Sequence, residues 1–110
     1  MLQIQPCFIL ILLDIPHRLD SNDEKINLNK SVFRIGKKKN YVDYVISDNP
    51  AVSRSHANFI TRGSQFFVLD TNSTNHTYVN GSMIKSGVEM QIFYGYKIRL
   101  ANEEFEFRVN

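Results

Sequence analysis

Cysteine is nearly absent from the 110-residue chain, with Cys7 the single example. That excludes an internal disulfide and any multi-cysteine metal site. No segment reaches the roughly 18 apolar residues of a membrane span. The longest apolar run, residues 8–13, has no basic residue before it. Asp14 and Pro16 follow it where a secretory signal would carry small residues, so it reads as a buried strand and not a leader. Net charge is only +2, too small to argue for nucleic acid. Its distribution says more. Six basic residues and two acidic ones lie between Arg34 and Arg62, a local +4.

Hydrophobic residues make up 43% of the chain and charged residues 22%, a balance that disorder does not share. A chain of this length buries about two-thirds of its unfolded surface, enough for one core without staples. One domain over residues 1–110 is expected, with its core at about 8–109. The strands begin and end close to the termini, as in a module of a longer protein or a very small stand-alone protein. With no leader and no span, a cytoplasmic location is expected. Three glycosylation sequons, at Asn72, Asn75 and Asn80, read as incidental in that setting, and the same residues have another use below.

No stretch has helical periodicity. Apolar residues come in short runs or strict alternation, with turn residues every 8–12 positions, the pattern of an all-β sandwich or barrel. Strands are expected at 8–13, 26–29, 31–35, 45–46, 57–62 and 66–69. Loops are expected at 16–24, 37–40, 47–55 and 70–75. Asn80-Gly81 between Tyr78-Val79 and Ser82-Met83 predicts a type I′ hairpin, because both central residues need positive φ. Residues 96–100 and 105–109 alternate and pair across Asn102. That pairing sets Lys97 and Arg99 against Glu104 and Glu106 on a solvated face. Phe59, Phe66, Phe67 and Phe93 are expected in the core.

Three polar loops carry the chemistry: 36–40, 53–56 and 73–77. They offer cations, hydroxyl donors and an amide, which suits an anionic ligand with several oxygens. A phosphate monoester has about −1.5 to −2 charge and three strong acceptors. Each charge-assisted hydrogen bond to it is worth roughly 1.5–3 kcal/mol. Ser53, His56 and Asp70 have the residue types of a hydrolase triad, but no nucleophile elbow surrounds Ser53. Asp43, Asp48 and His17 have no metal-ligand spacing. No catalytic residue, metal or cofactor is therefore expected.

Spacing sharpens this reading. Phe33-Arg34-Ile35-Gly36-Lys37, then Val52-Ser53-Arg54-Ser55-His56-Ala57, then residues 70–81 with Ser73-Thr74-Asn75-His76-Thr77 and Val79-Asn80-Gly81, closely resemble the forkhead-associated (FHA) domain, bacterial-type. Residues 92–100 are similar to the family's Leu-x-x-Gly-Asp-x-Ile ending, with Tyr96 where Asp is common. Two departures stand in the motifs, Lys37 for the usual Arg and His76 for the usual Gly.

The resemblance implies a β-sandwich of about eleven strands in two antiparallel or mixed sheets. It implies a non-catalytic, monomeric module whose loops bind phosphothreonine peptides, and so an upstream Ser/Thr kinase. By motif, Ser53 and Thr74 would donate hydroxyl hydrogen bonds to the phosphate and Arg54 would add charge or a backbone N–H. Asn75 would hold the peptide main chain, and Lys37 would take the phosphate-binding Arg position. Lysine lacks the planar fork, which costs about 1 kcal/mol of grip that Lys38, Lys39 and Arg54 can share. Lys38 and His76 are further candidate peptide contacts. Gly36, His56, Asn80 and Gly81 would hold the loops in place. In the family, the threonine methyl enters a small apolar pocket, worth about 1–3 kcal/mol against phosphoserine. The competing reading keeps the fold and drops the phosphate: a degenerate FHA scaffold that captures a partner protein through a sheet face.

Overall fold

The structure is a computed structural model that describes residues 8–13 and 25–109. Cys7, His17 and the loop expected at 16–24 lie outside them. Among the described residues, eleven strands run β1 Phe8–Leu12, β2 Lys25–Asn27, β3 Val32–Gly36, β4 Tyr44–Val45, β5 Ala57–Arg62, β6 Gln65–Asp70, β7 Thr77–Val79, β8 Ser82–Met83, β9 Met90–Ile92, β10 Lys97–Leu100 and β11 Glu103–Val109. One sheet has six strands in the order β2-β1-β11-β10-β7-β8, and the other has five in the order β4-β3-β5-β6-β9. Every pairing is antiparallel except β3 with β4. The fold is thus an all-β sandwich, as its alternating sequence predicts. Among the described residues, no helix is long and apolar enough to cross a membrane.

Alternation decides which faces meet. Ile98, Leu100, Phe105 and Phe107 point inward, while Lys97, Glu104, Glu106 and Arg108 on the same two strands do not. They pack with Leu10, Ile35, Phe59 and Val68 in one continuous core. Phe107 lies 5.1 Å from Phe66 and 5.8 Å from Tyr94, ring centre to ring centre. The register sets Lys97 opposite Glu106 and Arg99 opposite Glu104, as the sequence implies. The side chains make other contacts as well. Glu106 is paired with Arg108, and the Arg99 guanidinium lies 3.8 Å from the centre of the Tyr78 ring.

Several expectations need correction. The short strand is Tyr44–Val45, not 45–46, because Ile46 turns into the core. Asp70 belongs to β6, where its buried carboxylate finds partners. A strand at Met90–Ile92 pairs with β6; three residues carry too little pattern to announce it. The basic loop contains a 3-10 turn at Lys39–Tyr41, closed by the Tyr41 N–H on the Lys38 carbonyl at 3.0 Å. Phe93 is 53% exposed, not core, since the chain turns there toward Gly95 and its ring meets Tyr96 edge-on. Phe67 is half-buried outside the core, on the other face of β6 from Phe66 and Val68, under the Arg62 guanidinium.

Phe107 is one of the largest fully buried side chains of this core, and the cavity left by truncating it can collapse only partly. Phe107→Ala is expected to lower stability by about 3–5 kcal/mol, read as a shift of the urea midpoint.

Candidate phosphate-binding site

Three stretches distant in sequence converge at one end of the sandwich: the β3–β4, β4–β5 and β6–β7 connections. The first two meet backbone to backbone. The Lys37 N–H donates to the Ser53 carbonyl at 2.9 Å and the Lys38 N–H to that of Arg54 at 3.2 Å. Gly36 permits this approach. A Cβ there would overlap the Arg54 carbonyl oxygen and stand 3.0 Å from that of Ser53.

His56 ties the second loop to the third. It is fully buried. The Ser53 N–H donates to its Nδ1 at 3.0 Å, so that nitrogen is the acceptor. Nε2 therefore carries the proton and donates to the His76 carbonyl at 2.9 Å. Burial depresses its pKa, against a smaller upward pull from the His76 carbonyl. Both ring nitrogens are occupied by backbone groups, so His56 is not a base for the Ser53 hydroxyl and no triad exists here.

Asp70 shapes the third loop from within. Its buried carboxylate accepts the Ser73 N–H at 3.1 Å, the Ser73 hydroxyl, and the Thr77 hydroxyl at 2.7 Å. Burial alone would raise its pKa, but the hydrogen bonds from Ser73 and Thr77 outweigh it and hold the carboxyl below the usual range. The chain is pinned at both ends, so the segment between them projects Thr74 and Asn75 outward. The role of Asp70 went unread in the sequence. Its signal is the Asp-x-x-Ser spacing of a side chain that folds back on its own backbone.

His76 stands where the family has glycine and adopts φ +67°, the left-handed region that histidine tolerates better than most. Its carbonyl accepts from His56 and also from the Ala101 N–H at 3.0 Å. Its side chain is exposed. Asn80 and Gly81 both have positive φ, at 50° and 86°, as the expected turn demands. The Asn80 side chain also accepts the Lys97 N–H at 2.8 Å, which locks the hairpin to β10.

An open pocket of about 390 Å³ lies between these loops, and Lys37, Ser53, Arg54, Thr74 and Asn75 all line it. Lys38 and His76 are not on its walls; Ser55 and Asn72 are, a contribution the motif reading missed. The Ser53 hydroxyl accepts the Thr74 N–H at 2.9 Å. One of its two lone pairs is thereby used, and its own O–H is left to donate. Asn75 gives one amide hydrogen to the Ala51 carbonyl at 2.8 Å and keeps a second donor and an acceptor. Among the described residues, no group of three or more His, Cys, Asp or Glu is placed to hold a metal ion. Hydrogen-bond donors and two cations, Lys37 and Arg54, thus stand around the pocket.

This fold with this pocket defines a class. The model of the FHA domain family matches residues 33–101, and the chain belongs to that family. A solved structure of an FHA domain with phosphothreonine-dependent interactions superposes with a TM-score of 0.77 at 27% identity, over 94% of this chain and 97% of that one. Mycobacterium tuberculosis EmbR in complex with a low-affinity phosphopeptide gives a TM-score of 0.75 at 27% identity, over 93% of this chain and 24% of that one. The oxoglutarate dehydrogenase inhibitor of Corynebacterium jeikeium is 42% identical over 53 residues, 44% of this chain. The match spans 37% of that curated relative's length.

Two outcomes are expected. Gly36→Ala forces apart the backbones that build the pocket wall and lowers stability by roughly 2–3 kcal/mol, seen as a lower urea midpoint. The second concerns pH. His56 is neutral in the fold with a depressed pKa, while the unfolded chain takes up its proton near pH 6.5. Stability from this residue is complete above about pH 6.5 and declines as pH falls from there toward the folded value. Asp70 contributes fully over that window, since its loss begins only below about pH 4. Urea midpoints measured between about pH 5 and 7.5 should fall on the acid side, and His56→Gln should flatten the decline.

Proposed function

We propose that this chain recognises phosphothreonine in partner proteins and so mediates phosphorylation-dependent protein–protein interaction. The observation that carries this reading is the convergence of Lys37, Ser53, Arg54, Thr74 and Asn75 on one pocket, with the Ser53 hydroxyl oriented by the Thr74 N–H. Ser53 and Thr74 donate to phosphate oxygens, Lys37 and Arg54 neutralise charge, and Asn75 fixes the peptide main chain beside the phosphothreonine. His56, Gly36, Asn80 and Gly81 hold the loops. Two similar structures, one of an FHA domain with phosphothreonine-dependent interactions and one of EmbR with a phosphopeptide, support the same ligand class. The domain performs no catalytic step. A Ser/Thr kinase writes the mark, and this pocket reads it.

Backbone hydrogen bonds tie the pocket walls to one another, which lowers the ordering cost of binding. A short phosphothreonine peptide is expected to bind with about −7 to −9 kcal/mol, near micromolar. Calorimetric titration of matched peptides tests this. The phosphothreonine form should bind, the unphosphorylated form should not, and Ser53→Ala should weaken binding by about tenfold or more through loss of a charge-assisted hydrogen bond. Equal binding of both peptides to wild type would end the proposal.

A further inference from the structure

The local excess of positive charge in residues 34–62 is not spread evenly over the fold. Arg34 and Lys30 share the Asp43 carboxylate, with Lys30 at 2.7 Å. That carboxyl is held below the usual range, chiefly by the Lys30 hydrogen bond. Arg62 is paired with Glu89. These cations are spent away from the pocket. Lys37, Lys38, Lys39 and Arg54 are all exposed and make no ion pair with any described residue.

The four sit on neighbouring backbone. Lys37 and Lys38 are hydrogen-bonded along the main chain to Ser53 and Arg54. The 3-10 turn at Lys39–Tyr41 holds the next lysine beside them. The Lys38 ammonium stands 5.3 Å from the centre of the exposed Tyr41 ring, which restricts its swing. Only Lys37 and Arg54 line the pocket. A phosphate of about −2 charge is matched by these two. Lys38 and Lys39 are left over, next to the pocket but not on its walls.

Resting on the phosphothreonine reading above, we infer that Lys38 and Lys39 are specificity-determining residues that select phosphothreonine sites flanked by acidic side chains. They contact carboxylates of the ligand and not its phosphate. An exposed charge pair changes affinity by up to about fivefold, and less as salt rises. Two such pairs discriminate between ligands without being required for binding.

The test is a fluorescence-polarisation titration of the whole chain at about 50 mM salt with three phosphothreonine peptides, flanked on both sides by alanine, glutamate or lysine. An unphosphorylated glutamate peptide and a single-stranded DNA oligonucleotide complete the set. Wild type should bind the glutamate-flanked phosphopeptide about three- to tenfold more tightly than the alanine-flanked one, and the lysine-flanked one least. Lys38→Ala/Lys39→Ala should bring the glutamate-to-alanine ratio close to one, weakening the glutamate-flanked peptide more than the alanine-flanked one. Equal affinities in wild type, or discrimination that survives in the double variant, overturn the inference and leave phosphothreonine recognition standing. Failure of every phosphopeptide to bind overturns both. DNA binding that matches the glutamate-flanked peptide assigns the lysines to nucleic acid and overturns the inference.

Discussion

The end of β3 runs against residues 53 and 54 with no side chain between the two backbones, and the binding end of the molecule is built on that contact. Gly36 makes it sterically possible. The Lys37 and Lys38 amides make it hydrogen-bonded. The strand that ends here has its inward residues Phe33 and Ile35 in the core, so the loops inherit the rigidity of the sheet. Displacing the backbone at residue 36 would move Lys37 away from Ser53 and Arg54 together, because the same bonds set all three positions.

His56 extends this frame to the third loop by an arrangement that depends on its being uncharged. A neutral imidazole offers one acceptor and one donor, and the structure uses each on a backbone group. Protonation would turn the acceptor at Nδ1 into a second donor facing the Ser53 N–H. Desolvation and the hydrogen-bond pattern therefore favour the same state. Asp70 works in the opposite sense. It is a buried charge that three donors from Ser73 and Thr77 make tolerable, as buried polar groups require. The two residues are close enough that the Asp70 charge pulls the His56 pKa upward, though by less than burial lowers it.

Much of this was legible in the sequence, for identifiable reasons. Alternation at residues 96–109 fixed which face was buried, because a slip of one residue would invert it. Asn80-Gly81 announced its turn, because few pairs accept positive φ twice. The pocket residues could be picked out because their types match the chemistry of a phosphate and their spacing matches a family pattern. What stayed hidden was of two kinds. Short elements such as β9 and the 3-10 turn carry too few residues for periodicity to register. Side-chain to backbone ties, such as Asn75 on Ala51 and the Ser73–Asp70 contact, depend on where loops meet in space. The same limit explains Phe93, an aromatic residue that hydropathy alone assigns inward and that the turn before Gly95 leaves 53% exposed.

Lys37 acquires a different meaning once the loops are assembled. Alone, a lysine in place of arginine loses bidentate geometry and some grip on the ligand. In the structure it is the innermost of a run of cations whose backbone is anchored at Lys37 and Lys38, and Arg54 supplies a guanidinium to the same pocket. Under the proposed function, a point charge suffices there, because Ser53, Thr74 and Asn75 line the same pocket and supply the directional donors. In the proposed reading, the labour is divided between hydroxyl and amide groups that read the geometry of an ester and ammonium groups that set the field around it. The first depends on the rigid backbone frame, while the second is tunable by substitution at exposed positions without disturbing the fold.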